Sequence, residues 1–175
     1  MWKYEDMVLR HPTLEDGMSV YQLISRCPPL DSNSSYCNFL QCGHFSDTSV
    51  CAFVKKDLVG FISAYLIPGR PDTLFVWQVA VDDRARGVGL AKKMLTHIVS
   101  RTICRDVQYL ETTITSDNEA SWSLFNSLGN SLAASLGTSL WLDRDKHFLG
   151  QHDSETLVRI GPFNLNEQET QYENF

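Results

Sequence analysis

No two of the five cysteines, Cys27, Cys37, Cys42, Cys51 and Cys104, form a C-x-x-C pair, and their number is odd. That argues against a complete disulfide framework and against a zinc site, so we expect buried, reduced thiols. Cys42 and His44 lack a second ligand pair of suitable spacing, and no metal is expected. Positive charge is in deficit: 15 Lys and Arg stand against 21 Asp and Glu, with a net charge of −6 and a pI near 5.3. Without a basic field nucleic acid is not an expected partner, and any bound anion must be held by local groups. No apolar run approaches the ~20 residues of a membrane helix, so no membrane partner is expected. The first residues, MWKYEDMVLR, carry acids where a signal peptide has a basic then an apolar region, so we expect a cytoplasmic protein. Internal repeats, interdomain linkers and long low-complexity tracts are missing too.

What remains has the composition of an ordinary folded domain, 43% hydrophobic and 21% charged over 175 residues. A chain of that size buries roughly 70% of the surface its unfolded form exposes. Met7 to Arg10 reads as a strand, and Thr13 with Asp16 as a capping box opening a helix through Leu23 and Ile24 that Pro28 and Pro29 end. A second short helix follows one of the N-cap types Asp31, Ser32, Asn33 or Ser34, carries Tyr36, Phe39 and Leu40, and ends near Gly43. Ser49 to Val54 and Leu58 to Ile67 form a hairpin across Lys55, Lys56 and Asp57. Pro68, Gly69 and Pro71 make a turn. A strand Thr73 to Val81, a helix from about Gly89 to Ser100, a strand Tyr109 to Ile114, and a helix opened by Ser116, Asp117 or Asn118 come next. Gly129 to Thr138 has no clear period, Leu157 to Ile160 is strand-like, and Asn164 to Phe175 reads as a tail. The sum is one mixed α/β layer structure, a single domain over 1–163 with a tail over 164–175.

The strongest chemical signal lies between Thr73 and Met94, where a buried strand, TLFVWQVAV, runs into DDRARGVGL and then a helix. Arg84, Gly87 and Gly89 set an R-x-x-G-x-G spacing, whose glycines let backbone N–H groups from Arg86 to Leu90 converge on an anion at a helix N-terminus. A Walker loop needs Gly-Lys-Ser or Gly-Lys-Thr at its end, and a dinucleotide fingerprint needs a third glycine where Lys92 stands. Neither fits. A pyrophosphate such as that of coenzyme A needs only convergent donors and a helix dipole. A plain strand-to-helix turn is the bland alternative.

This segment resembles motif A of the GNAT superfamily of acyl-CoA-dependent N-acyltransferases. The resemblance implies a central mixed, mostly antiparallel twisted sheet flanked by helices, and acetyl-CoA as co-substrate. It implies that the backbone at Val79 and Val81 pairs the pantetheine arm and that Arg84, Arg86, Gly87, Val88, Gly89 and Leu90 hold the pyrophosphate, with Asn118 as a further cofactor contact. The Val79 N–H is the candidate oxyanion donor on a locally splayed strand. Where the superfamily commonly has a tyrosine acid, this chain has Phe125.

Over Val8 to Phe163 the chain also resembles the diaminobutyrate acetyltransferases of ectoine biosynthesis, which acetylate the 4-amino group of L-2,4-diaminobutyrate. The likeness rests on LDSNSSY from Leu30, HFSDTSV from His44, GRPDTLFVWQVAVDDRARGVGLAKKML from Gly69, LETTITSDNEAS from Leu110 and HDSETLVRIGPF from His152. It implies that Asp31, Trp77, His152 and Glu155 line the acceptor pocket, with Tyr36 a weaker member, and that the enzyme is a homodimer. On chemistry Glu155, directly or through water, is the first candidate for the base and His152, better matched in pKa, the second. Read singly, Trp77 is a core residue, Asp31 a helix cap, and His152 with Glu155 an exposed loop pair. A peptide N-acetyltransferase and a non-catalytic acyl-CoA sensor are the alternatives on the same scaffold.

Overall fold

The computed structural model describes residues 6–164. Of the expected tail, all but Asn164 lies outside the described residues. The strands are β1 (Met7–Arg10), β2 (Val50–Val54), β3 (Asp57–Ile67), β4 (Arg70–Val81), β5 (Tyr109–Ile114), β6 (Leu136–Leu142) and β7 (Glu155–Ile160), and the helices are α1 (Gly17–Ser25), α2 (Ser35–Gly43), α3 (Leu90–Val99) and α4 (Glu119–Ser131). Two compact units share them, one made of the chain through Leu66 with Val76–Arg105, the other of Ile67–Phe75 with the chain from Asp106 onward. The boundary falls inside β4.

In the first unit β1, β2 and β3 are antiparallel, with Met7 opposite Val54 and Cys51 opposite Phe61. Neighbouring strand residues face opposite ways, so Cys51 with Phe61, and Ala52 with Gly60, mark the two faces. The Cys51–Phe61 face packs on Val20, Leu23 and Ile24 of α1 and Cys42 of α2. Those α1 residues recur at helical spacing, and full burial of each contributes about 1.5–3 kcal/mol. On the other face a β-carbon at Gly60 would meet the Met94 thioether of α3 at 3.0 Å, so glycine there lets α3 lie close to the sheet. Leu90, Met94, Leu95, Ile98 and Val99 form the buried stripe of α3.

The Thr13–Asp16 capping box opens a 3₁₀ turn over Leu14–Asp16 before α1 begins at Gly17, so the expected helix start is resolved into two pieces. The cap of α2 is Ser34, whose hydroxyl accepts from the Cys37 N–H at 3.2 Å. That corrects the reading of Asp31 as a cap. The far end of α3 is tied down by Arg101, whose Nη1 donates to the carbonyls of Ser49 at 2.7 Å and Asp47 at 2.9 Å.

In the second unit β5 pairs parallel with β4 over Thr73–Phe75, and antiparallel with β7, which in turn pairs with β6. The β4–β5 ladder joins only Thr73 to Tyr109, Leu74 to Leu110 and Phe75 to Glu111. At its last rung the buried Glu111 carboxylate takes a two-pronged bond from Arg70, at 2.9 and 2.8 Å, and another from Arg159. Arg159 also lies 3.8 Å above the Tyr109 ring. Two guanidinium groups hold that carboxyl below its usual range, against the burial that pushes it up.

β6 is the element the sequence hides. Most of its residues are exposed, and Gly137, Thr138 and Ser139 supply no apolar period. It forms because its backbone pairs with β7 from Leu136–Ile160 to Leu142–Glu155. β4 also begins earlier than expected, at Arg70, and β7 earlier, at Glu155.

Candidate active site

β4 ends at Val81, and the Asp82 N–H donates to the Val59 carbonyl at 2.9 Å, fixing the point where the chain leaves the sheet. The Asp82 carboxylate, 5% exposed, accepts from the Arg84 N–H at 3.0 Å, Arg84 Nε at 2.9 Å and Nη2 at 3.0 Å, and Arg26 Nε at 3.3 Å. These bonds, those from Arg84 foremost, hold it well below the usual carboxylate range. Arg86 Nε reaches back to the Val81 carbonyl at 3.1 Å, and its Nη1 pairs with Asp83 at 2.9 Å. The guanidinium groups therefore brace the turn from its own side.

The turn then passes through two left-handed residues, Gly87 at φ 78° and Gly89 at φ 75°, the latter the N-cap of α3. No atom lies within 4 Å of a β-carbon built at either, so it is backbone conformation that calls for glycine, since a side chain there costs about 1–2 kcal/mol. Among the described residues the N–H groups of Gly87, Val88 and Gly89 donate to no acceptor, whereas that of Arg86 bonds the Asp83 carbonyl at 3.4 Å. Unsatisfied donors at the positive end of a ten-residue helix make an anion cradle.

Asp82 was not singled out in the sequence, yet its role is to fold that turn. Asp82→Ala is expected to lower stability at pH 7 by about 2 kcal/mol, the half-exposed arginines discounting the usual strength of such bonds. A carboxylate depressed in the fold stabilises above its ordinary pKa near 4, and that contribution is lost as pH falls further. Urea unfolding at pH 7 and pH 3 should show the wild type and the variant drawing together in acid.

Also in the first unit, Trp77 is 42% exposed and meets Phe45 and Tyr65 edge-on, with ring centroids 6.3 and 6.2 Å away. It is not a wholly buried core residue, and the two rings hold its indole in place. Tyr36 is 71% exposed on the first turn of α2. Asp31 is exposed, and its carbonyl accepts from Gln78 Nε2 at 3.1 Å. Gln78, which sequence reasoning passed over, also accepts from Asn33 Nδ2 at 2.9 Å.

In the second unit the β6–β7 connection carries His152 and leads into Glu155, the first residue of β7; both are half-buried. The connection is braced by its own bonds. Arg144 N–H donates to Ser154 Oγ at 2.9 Å, the Asp143 N–H to His147 Nδ1 at 2.7 Å, and the Asp143 carboxylate accepts from the Asp145 and Lys146 N–H groups. His152 lies beside Phe148, ring centroids 4.6 Å apart, with Nδ1 2.7 Å from the Asp153 carbonyl. A carbonyl only accepts, so Nδ1 carries the hydrogen and the neutral ring keeps its basic lone pair on Nε2. Asn118 caps α4 by accepting from the Ser121 N–H at 3.1 Å. Phe125 is 2% exposed and belongs to the core. Cys42 is equally buried, and burial pushes its thiol up to about 12.

The family profile described as the acetyltransferase (GNAT) family matches residues 18–129. An L-2,4-diaminobutyric acid acetyltransferase of Methylotuvimicrobium alcaliphilum is 53% identical over 157 residues, 90% of this chain and 91% of its own. The chain belongs to the GNAT family, among the L-2,4-diaminobutyric acid acetyltransferases. A Vibrio cholerae member is 50% identical over 153 residues, covering 87% of this chain and 88% of its own. Among solved structures, diaminobutyrate acetyltransferase EctA from Paenibacillus lautus, in complex with L-2,4-diaminobutyric acid and coenzyme A, superimposes with a TM-score of 0.86 at 39% identity, over 90% of this chain and 95% of that one. The GNAT fold expected from the turn after β4 is therefore the fold of this chain, with seven strands and four α-helices among the described residues.

Proposed function

We propose that this protein transfers the acetyl group of acetyl-CoA to the 4-amino nitrogen of L-2,4-diaminobutyrate, giving N4-acetyl-L-2,4-diaminobutyrate, a step of ectoine biosynthesis. The observation that carries the reading is the likeness to the Paenibacillus lautus enzyme, which holds both that diamine and coenzyme A. The chemistry of the residues supports it. The diphosphate of the cofactor sits on the amides of Gly87, Val88, Gly89 and Leu90, with Arg84, Arg86 and Asn118 bordering it, and the pantetheine arm follows the backbone at Val79 and Val81.

The acceptor arrives as an ammonium, neutral at pH 7 only about once in 2,500, a cost near ~4.6 kcal/mol that the site must reduce. Asp31 recognises one ammonium group, Tyr36 and Trp77 pack the short chain, and Glu155, directly or through water, takes the proton from the attacking nitrogen. His152, its basic nitrogen fixed by the Asp153 carbonyl, orients the substrate or relays that proton. The neutral amine adds to the thioester carbonyl, the oxyanion is met by the Val79 N–H, the nitrogen gives its second proton to water, and the C–S bond breaks to release the thiolate of coenzyme A. Thiols of pKa near ~8.5 leave readily and take a proton from water, so a phenol at the Phe125 position is dispensable.

The same reading carries a role in osmotic-stress metabolism, a cytoplasmic location and a homodimeric enzyme. Initial rates of thiol release with L-2,4-diaminobutyrate and with a panel of peptide amines test the reading. The expected result is a kcat/KM for the diamine at least about 100-fold above any peptide. Preference for a peptide, or coenzyme A binding without turnover on any amine, overturns it.

A further inference from the structure

Gln78 stands in the middle of β4 between Trp77 and Val79, and unlike the exposed Trp77 it is buried, at 8% exposure. Burying a primary amide costs free energy unless both its ends are bonded, and here both are. Nε2 donates to the Asp31 carbonyl at 3.1 Å, and Oε1 accepts from Asn33 Nδ2 at 2.9 Å. The opposite amide orientation would set oxygen against oxygen and NH2 against NH2, so the partners dictate which way the group points. Asp31–Ser34 has neither helix nor strand, lying between the Pro28–Pro29 bend and the Ser34 cap of α2. A strand residue thus reaches out and grips the main chain of the irregular segment that carries Asp31.

We propose that Gln78 is a positioning residue for the acceptor amine. By clasping Asp31 and Asn33 it sets where the Asp31 carboxylate stands relative to Trp77, and it acts on diamine binding without touching the diamine. The inference rests on the reading of Asp31 as an ammonium-binding residue. Gln78→Leu removes both bonds. Gln78→Glu keeps the acceptor for Asn33 but turns an oxygen toward the Asp31 carbonyl, so shape is conserved while the clasp is not. Asn33→Ala opens the clasp from its half-buried end and serves where a β4 variant fails to fold.

KM values for L-2,4-diaminobutyrate and for acetyl-CoA, measured separately on these variants, on Asp31→Asn and on Gln78→Leu/Asp31→Asn, decide the matter. Gln78→Leu, Gln78→Glu and Asn33→Ala are expected to raise the diamine KM by about tenfold and to leave the acetyl-CoA KM within about twofold. Asp31→Asn raises the diamine KM at least as much, and the double variant is no worse than Asp31→Asn alone, because both changes remove one function. Independent effects that multiply in the double variant, an acetyl-CoA KM rising in step, or a wild-type diamine KM in folded Gln78→Leu overturn the proposal. An unchanged diamine KM in Asp31→Asn instead overturns the reading of Asp31, and the role of Gln78 falls with it.

Discussion

Glu155→Gln is expected to lower kcat by a factor of about 10²–10⁴, the usual worth of a placed general base, with a much smaller change in the KM for L-2,4-diaminobutyrate. The substitution keeps shape and hydrogen-bonding reach at the first residue of β7 and removes only the proton acceptor. The pH profile distinguishes this from a loss of substrate recognition. Without a base, turnover depends on the fraction of amine already neutral, so kcat/KM should climb tenfold per pH unit toward the amine pKa near ~10.4, while the wild type levels off earlier. Rate and affinity falling together, in equal measure at Glu155→Gln and Asp31→Asn, would assign Glu155 to cation recognition instead. His152→Ala, removing the second candidate, would then become the variant whose kcat/KM climbs tenfold per pH unit.

Gly87→Ala/Gly89→Ala is expected to raise the KM for acetyl-CoA about 30-fold or more with the diamine KM little changed. Both residues are left-handed, at φ 78° and 75°, and each β-carbon costs about 1–2 kcal/mol there, so the pair costs about 2–4 kcal/mol if the turn is kept. If the turn relaxes instead, the amides of Gly87, Val88 and Gly89 no longer point at one place. No neighbouring atom holds either β-carbon, so the free turn relaxes out of the left-handed region and must be forced back into it on binding, and the cofactor bears that cost. A relaxed surface turn leaves the core unstrained, so thermal stability should change far less than cofactor affinity, and isothermal titration with coenzyme A beside a melting curve reads the two apart. An unchanged coenzyme A affinity in the folded double variant would remove the turn from the site.

The turn was legible in the sequence because glycine at those two positions is dictated by local backbone sterics, which the chain carries with it. So were α1 and α3, whose apolar residues recur at helical spacing, and the β2–β3 hairpin, whose charged turn interrupts two apolar runs. β6 was not legible, since its exposed Gly137, Thr138 and Ser139 are ordered by pairing with β7 and not by burial. Two site-shaping residues were missed for a related reason. Gln78 takes its meaning from Asp31 and Asn33, more than forty residues away, and the Asp82 carboxylate joins the neighbouring Arg84 to the distant Arg26, and no local spacing announces such distant partners. Asp31 read singly is a helix cap, and only the Ser34–Cys37 bond corrects that. The acceptor residues as a group came from resemblance; alone, none of their side chains carries a signal above that of an ordinary surface or core position.

The identity of the product tests the central claim most directly. Acetyl-CoA labelled with 13C in the acetyl group is incubated with L-2,4-diaminobutyrate and the enzyme, and the product is read by two-dimensional NMR. The account predicts one acetamide whose carbonyl correlates with the methylene protons at position 4, formed in step with free thiol. An acetyl group on the 2-amino nitrogen, or thiol release with no acetylated diamine, would contradict it.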